Sequence, residues 1–395
     1  MDFGGLKVLM ISSDRNILAP GSAVSERMKE YGKLVEELHI VLLSDASHKL
    51  KNTELAKNVW VYPTSSLASF LRPLGAAKIG KRVVFDRRFV RGNSVITADS
   101  IECGWAGIKI KNKWRIPLEV QIHSDPFSPF FTGFQNSVRK FFAKKVYTKA
   151  DRIRVVSEQV GKKIGEYLER GKLPARRTRQ AGKLKIYTLP IYVDIQQIED
   201  SKVAFDLHAR TGWQFIMLAV SRLAPEKDLP TAIRVLARVR EQFPDTGLVI
   251  VGSGPEESKL KALAKELGVL KQVFFEGWQD SLASYYKTAS VFIQTSLFEG
   301  FGMSLVEAAL SGLPVVSTPV GVAAELEHGK EIYLCPAADV ERFAGAVIDL
   351  LEQNGKRESM RLNLRHTLKS RLLSKDDYMA NIKGNWEYVA KQAKE

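Results

Sequence analysis

The sequence predicts an α/β protein made of two doubly wound domains. Three observations predict it. The chain has 395 residues, long for a single hydrophobic core and comfortable for two. Short apolar runs alternate with amphipathic stretches in a strand, loop, helix rhythm. That rhythm starts afresh near residue 213.

In chain order, Leu6–Ser12 reads as a buried opening strand, Ser25–Glu37 as a helix and His39–Ser44 as the next strand. Ser94–Ala98, Leu118–Ile122 and Arg152–Ser157 are further apolar runs bounded by turn or polar residues. After the restart, Phe215–Ser221 is a strand and Leu229–Phe243 a helix, with Asp228 as its N-cap and Pro230 in its first turn. Leu248–Val251 is followed by Gly252-Ser253-Gly254-Pro255 and a helix from Glu256 to Leu267. Val273–Glu276, Val291–Gln294 and Pro314–Ser317 continue the second sheet. Strands alternating with helices give parallel, Rossmann-like sheets covered on both faces. The restart places a linker at about 195–212, which gives domains at 1–195 and 196–375 facing each other across a cleft at the carboxyl ends of their strands. Residues 376–395 form a terminal helix with Tyr378, Met379, Ile382, Trp386 and Val389 at helical spacing, expected to pack back across the domain junction.

Apolar residues make up 45% and charged residues 26%, as in an ordinary globular protein. No repeat or low-complexity run stands out. Lys7 and Asp14 break up the N-terminal apolar run, so no signal peptide is expected, and no uncharged apolar stretch reaches the length of a membrane span. Cys103 and Cys335 are far apart and lack His or Cys neighbours. That argues against a zinc site or a disulfide framework and for a reducing, cytoplasmic compartment. The net charge of +15 is uneven: residues 1–190 hold 35 Lys and Arg against 17 Asp and Glu, and the remainder holds 24 against 27. One half carries the whole excess. It points to an anionic partner or to a basic surface kept for solubility.

The most informative stretch is Glu299-Gly300-Phe301-Gly302-Met303-Ser304-Leu305-Val306-Glu307, between the strand ending at Gln294 and a helix stopping at Gly312 with Pro314 beyond. It is a glycine-bearing loop at a helix N-terminus, where free amides and the helix dipole favour an anion such as a pyrophosphate. Glu299 and Glu307 can face the cleft, and a carboxylate suits pairs of sugar hydroxyls. Ser221-Arg222-Leu223-Ala224-Pro225-Glu226-Lys227 ends a strand of the same domain. Arg222 and Lys227 are fixed cations able to neutralise a diphosphate leaving group without metal. A surface ion pair with Glu226 is the plain alternative for Arg222. No Asp-x-Asp triplet occurs, so no metal site is expected. His123, in Gln121-Ile122-His123-Ser124-Asp125, ends a strand of the first domain, where it is either a half-buried structural imidazole or an active-site group. Gly21, in Pro20-Gly21-Ser22, lets backbone approach a phosphate closely, although a plain loop explains it equally well.

Together these residues resemble the retaining glycosyltransferases of family 4, which have the GT-B fold. The likeness runs over most of the chain and is strongest from 215 to 335. Glu299 and Glu307 match the family's Glu-x7-Glu signature, and Ser221-Arg222-Leu223 through Glu226-Lys227 resembles its Gly-Arg-Leu-x-x-Glu-Lys segment, with Ser for Gly. Gly252 to Pro255 matches its Gly-x-Gly-Pro turn, and Gly277-Trp278 its glycine before the base-binding loop. The resemblance implies that Arg222 and Lys227 bind the donor diphosphate, that Glu307 holds the ribose, and that Glu299 holds the transferred sugar. It implies that the amides of Gly300, Phe301, Gly302, Met303 and Ser304 contact sugar and phosphate, with Gly252, Gly254 and Trp278 around the nucleotide. His123 falls where the family has a histidine near the reacting carbon. Two departures stand out: Gly21-Ser22 replaces a Gly-Gly pair, and Gly321-Val322-Ala323-Ala324-Glu325 replaces Gly-Gly-x-x-Glu.

The resemblance thus implies a hexosyltransferase with a UDP- or GDP-linked sugar donor, no metal and no further cofactor, working with retention in cell-envelope glycan or glycolipid synthesis. A glycan, lipid-linked or phosphorylated acceptor would meet the basic half. Alternatives are a sugar-nucleotide epimerase on the same fold, or a non-catalytic protein binding anions or nucleic acid. Phe141, Phe142 and Tyr147 lie among Lys140, Lys144 and Lys145, as in a stacking surface for nucleic acid, but their spacing reads as the core face of a helix, so no nucleic-acid partner is expected. A dehydrogenase lacks its Gly-x-Gly-x-x-Gly. Two stretches fit an anionic membrane at the inner face of the cell: Leu67, Phe70, Leu71 and Leu74 followed by Lys78, Lys81, Arg82, Arg87, Arg88 and Arg91, and the seven cations of 170–185.

Overall fold

The computed structural model describes residues 5–125, 127, 134–170 and 186–392. The basic stretch at 171–185 lies outside them. The chain forms two compact units: one from the described residues up to Pro190 together with Ser374 onward, the other from Ile191–Leu373.

The first unit is built on an eight-stranded sheet. Its strands are β1 (Lys7–Ser12), β2 (Glu37–Leu42), β3 (Thr53–Ala56), β4 (Val59–Pro63), β5 (Ser94–Ala98), β6 (Leu118–Ile122), β7 (Arg152–Val155) and β8 (Ile186–Thr188). The spatial order is β3-β4-β2-β1-β5-β6-β7-β8, parallel except for β3, which runs antiparallel to β4 at one edge. Leu9, Ile11, Ile96, Val120 and Ile153 from the central strands are fully buried in its core. The first helix spans Ala23–Gly32, earlier than the expected Ser25–Glu37. Ser22 starts it, accepting from the Ser25 amide at 3.0 Å. Its end is set by Asn58, whose amide donates to Gly32 O at 2.8 Å and Val35 O at 3.0 Å, and by Gly32, where a Cβ would fall 2.3 Å from a Val59 methyl. Glu37 is thereby released to begin β2 beside Lys7. Of the three aromatics expected on one core face, Tyr147 is fully buried and Phe142 packs on Trp105, but Phe141 is exposed beneath Lys145. Residues adjacent on a helix lie about 100° apart, so Phe141 and Phe142 cannot share a face.

The terminal helix, Lys375–Gln392, belongs to the first unit. Its Trp386 is fully buried with its ring edge-on to Tyr31 at 5.5 Å, and its Asn381 accepts from the Tyr187 hydroxyl at 2.8 Å.

The second unit has six parallel strands: β9 (Phe215–Val220), β10 (Thr246–Val251), β11 (Val273–Gly277), β12 (Val291–Gln294), β13 (Val315–Ser317) and β14 (Tyr333–Leu334). Their order is β11-β10-β9-β12-β13-β14. The helix after β9 covers Leu229–Val239 and buries Leu229, Ile233, Leu236 and Val239 against it. Asp228 takes the N-cap position in a left-handed conformation and accepts from the Thr231 hydroxyl at 2.7 Å. Cys103 and Cys335 are both buried free thiols.

Candidate functional site

Strand order in the second unit reverses between β9 and β12, so the chain leaves these neighbours in opposite directions and a crevice opens at their carboxyl ends. Two loops line it, Ser221–Asp228 after β9 and Thr295–Gly302 after β12. They are stitched together: the Thr295 hydroxyl donates to Lys227 O at 3.0 Å and Asp228 O at 2.9 Å, and the Leu297 amide donates to Glu226 O at 2.9 Å. Across this seam Lys227 Nζ meets Glu299 Oε1 at 2.6 Å, with side chains only 13% and 12% exposed. The Ser296 hydroxyl donates to the same oxygen at 2.8 Å. Arg222 lies apart, 68% exposed and 2.7 Å from Glu226, in the ion pair that its sequence neighbour allowed. The two cations read as fixed from the sequence have different anchors: Lys227 pairs with Glu299 in the crevice, and Arg222, largely exposed, pairs with Glu226.

Glycines set the backbone around this pair. A Cβ on Gly252 would fall 1.9 Å from Ser221 O, and one on Gly254 2.4 Å from Leu223 O, so the loops after β9 and β10 touch through bare backbone. Gly302 adopts φ +97° and starts the helix Met303–Leu310, with Met303 and Ser304 as its first residues. The first amides of a helix have no partner within it. Phe301 is buried, and its carbonyl accepts from the Val322 amide at 2.7 Å while a Cβ on Gly321 would lie 2.3 Å from it. Val322 in place of a second glycine is thus accommodated with its side chain buried.

Glu307, in the first turns of that helix, is held by the Tyr286 hydroxyl, which donates to Oε2 at 3.0 Å. Burial raises the Glu307 pKa, and the hydroxyl pulls it partly back. Trp278, just after β11, is 71% exposed with its indole N–H 3.2 Å from Asp280. Sequence reading passed over Ser296, Thr295, Tyr286 and Gln294. Gln294 is buried, donates to the Ser317 hydroxyl at 3.0 Å, and leaves its carboxamide oxygen without a hydrogen-bond partner among the described residues. A Cβ on Gly302 would stand 3.8 Å from that oxygen. The available signal was the position of Gln294, a polar residue closing an otherwise apolar strand.

The first unit has its own reversal, between β1 and β5. Gly21 sits in the loop after β1 with φ +72° and open space where a Cβ would be. Ser22 is used as the helix N-cap. Asp99, directly after β5, accepts from the Ser12 hydroxyl at 2.5 Å and the Ser13 amide at 3.0 Å. His123 follows β6, one strand further on. His123 keeps an exposed surface, and the protein packed around the rest of it, with the Arg154 and Arg27 guanidiniums as lesser causes, lowers its pKa to about 4, leaving it neutral at pH 7.

Two doubly wound units of this kind define the GT-B architecture. The fold agrees with solved structures along nearly the whole chain: sucrose-phosphate synthase from Thermosynechococcus elongatus (TM-score 0.76, 18% identity, 97% of this chain and 99% of that one) and HepE from Anabaena in complex with UDP and glucose (TM-score 0.72, 18% identity, 96% and 99%). Residues 205–367, within the second unit, match the family model for glycosyl transferases group 1. Among curated proteins, an uncharacterized glycosyltransferase of Haemophilus influenzae is 32% identical over 44% of this chain and 48% of its own length. A GDP-mannose-dependent alpha-(1-6)-phosphatidylinositol monomannoside mannosyltransferase of Mycolicibacterium smegmatis is 33% identical over 38% and 42%. The match to such relatives spans about half of their length or less.

Proposed function

We propose that the protein is a glycosyltransferase that moves a hexosyl unit from a UDP- or GDP-linked sugar to an acceptor hydroxyl, with retention and without metal, in the synthesis of cell-envelope glycans or glycolipids. The observation that carries this reading is the part-buried Lys227–Glu299 pair at the sheet reversal, shortly before the helix that Gly302 caps. An ammonium has three donors, so Lys227 can keep Glu299 and still bind a diphosphate oxygen. Arg222 adds a second cation, and the amides at Gly300 to Ser304 with the helix dipole add further positive potential where leaving-group charge develops. Glu299 offers Oε2 to hydroxyls of the transferred sugar. Glu307, steadied by Tyr286, takes the ribose diol, and Gly252, Gly254 and Trp278 border the nucleotide. Neutral His123 acts at the reacting sugar, and Gly21 lies beside the phosphate.

The basic half serves an anionic, membrane-borne acceptor. Leu67 and Phe70 are 92% and 79% exposed. The helix that follows, Arg72–Asp86, presents Leu74, Lys78, Arg82 and Phe85 along one outer face. Apolar residues among cations suit an anionic bilayer surface. The protein then works at the inner face of the cell membrane. Co-sedimentation with vesicles tests this part: binding to phosphatidylglycerol-containing but not phosphatidylcholine vesicles at physiological salt is expected, and equal partition onto both refutes it. The transfer reading is tested by release of nucleoside diphosphate from the sugar donor, abolished in Lys227→Ala and Glu299→Gln.

A further inference from the structure

A cavity of about 350 Å³ lies in the first unit between β4 and the second half of the helix Arg72–Asp86. Ile79 and Val83 give it an apolar side, and Asn52, Tyr62, Arg82, Asp86 and Arg87 supply its polar groups. β2 separates β4 from β1, so the cavity stands apart from the sheet reversal at β1 and β5. A polar relay backs it. His39 of β2 is fully buried and stacks on Trp60 of β4 with ring centres 4.7 Å apart. Its Nε2 is 2.8 Å from Glu37 Oε2, and its Nδ1 is 3.0 Å from the Tyr62 hydroxyl. Glu37 is paired in turn with Lys7 at 3.4 Å. Burial lowers the His39 pKa below its ordinary value, so the ring is neutral at pH 7. A carboxylate only accepts, which puts the ring hydrogen on Nε2, makes Nδ1 the acceptor and leaves Tyr62 to donate. The Tyr62 hydrogen is thus used inside the protein, and the lone pairs of its oxygen remain for the cavity.

The cations beside that oxygen are placed for an anion. Arg82 is largely exposed and meets Asp86 through Nε at 3.3 Å, so its Nη groups are left to a ligand. Arg87 lies over the Trp60 ring at 4.6 Å, held by a cation–π contact rather than by an ion pair among the described residues. Two guanidiniums against the single carboxylate of Asp86 give the cavity a positive excess. Guanidinium forks match phosphate oxygens, whereas Tyr62 and Asp86 offer acceptors that suit hydroxyls. We propose that this cavity binds a phosphate ester carrying free hydroxyls, with Arg82 and Arg87 on the phosphate and Tyr62, set as an acceptor by His39 and Glu37, on a hydroxyl. Free glycerol phosphate and the headgroup of phosphatidylglycerol share that chemistry. Arg82 also belongs to the outer face of its helix, so a ligand in solution and one in a bilayer both have access to it. The site is separate from the proposed donor crevice and does not depend on the transferase reading.

The test uses the full chain in two arms. In the first it is titrated calorimetrically with glycerol 1-phosphate and with methyl phosphate, which has the anion without the hydroxyls. In the second it is sedimented with vesicles of phosphatidylglycerol and phosphatidylcholine. Glycerol 1-phosphate should bind more tightly than methyl phosphate. R82Q should weaken both esters. Y62F keeps every charge, and it should weaken glycerol 1-phosphate about threefold to tenfold while leaving methyl phosphate unaffected. A loss in Y62F confined to calorimetry assigns a free ester as the ligand; a loss that appears with the vesicles assigns the lipid headgroup. R82Q changes an exposed side chain and carries the test if Y62F does not fold. Equal affinity for the two soluble esters, or binding unchanged by R82Q and Y62F in both arms, overturns the proposal.

Discussion

Replacing Lys227 by alanine separates the two tasks assigned to it. In the free protein the change leaves Glu299, only 12% exposed, without its cation. An orphaned buried charge costs about 3–5 kcal/mol when fully enclosed; here some solvent access and the Ser296 hydroxyl reduce that, so about 1–3 kcal/mol is expected. In the nucleotide complex the same change also removes a charge-assisted bond to the diphosphate, worth about 2 kcal/mol or more, which weakens binding about 30-fold. A nucleotide at 100 times its dissociation constant stabilises the wild-type protein by about 2.7 kcal/mol; against a 30-fold weaker site the same concentration gives about 0.9 kcal/mol. For a unit the size of Ile191–Leu373, 1 kcal/mol moves the unfolding midpoint by about 2–4 °C. Thermal unfolding with UDP, GDP, ADP and dTDP in turn, without metal, should therefore show a shift of about 5–11 °C with the preferred nucleotide in the wild type and about 2–4 °C in Lys227→Ala. A variant that melts earlier yet keeps the full nucleotide shift would refute the reasoning: Lys227 would then serve only to pair with Glu299.

Gly254→Ala places a methyl 2.4 Å from Leu223 O, and moving that backbone should cost about 1–3 kcal/mol while weakening nucleotide binding, both read in the same unfolding experiment. Tyr286→Phe removes the hydrogen bond that favours ionised Glu307, so nucleotide affinity should fall more at pH 5.5 than at pH 8, measured by calorimetry. His123 is neutral when folded and accepts its proton more readily when unfolded, because its folded pKa is about 4 against an ordinary 6.5. Between those values the unfolded state binds more protons, so stability is lost as pH falls from about 6.5 to about 4. Denaturant titrations across that window should be flatter for His123→Gln. Leu67→Ser with Phe70→Ser should abolish sedimentation with anionic vesicles while leaving nucleotide binding intact.

The second unit was the more legible half because its site is made of backbone. Gly252, Gly254 and Gly302 stand where positive φ or a close approach permits little else, so the motif and the geometry are the same fact. The restart near 213 was likewise visible, because buried parallel strands are continuous apolar runs. Short edge strands were not: β3 pairs on one side only and reads Thr-Glu-Leu-Ala, and β14 has two residues. Side-chain partners across the fold were also hidden. The pair of Arg222 with Glu226 was an open alternative in the sequence, but nothing near Lys227 tells that it reaches Glu299, 72 residues on. Apolar spacing in the terminal helix was readable, but Asn385 is a polar residue on its buried side, and its partner lies 266 residues away. The glycines and the ends of the strands marked the crevice proposed as the donor site, whereas the Lys227–Glu299 pair within it came only from the packed fold.

The most direct test of the transferase reading is release of nucleoside diphosphate from UDP-, GDP-, ADP- and dTDP-linked hexoses by the purified protein on anionic vesicles carrying extracted bacterial lipids, with chelator present and the product followed by NMR. The account predicts release from one donor, lost in Glu299→Gln, with the anomeric configuration of the sugar retained in the product. Conversion of the donor to an epimer without release, or no change in any of the four donors, would contradict it.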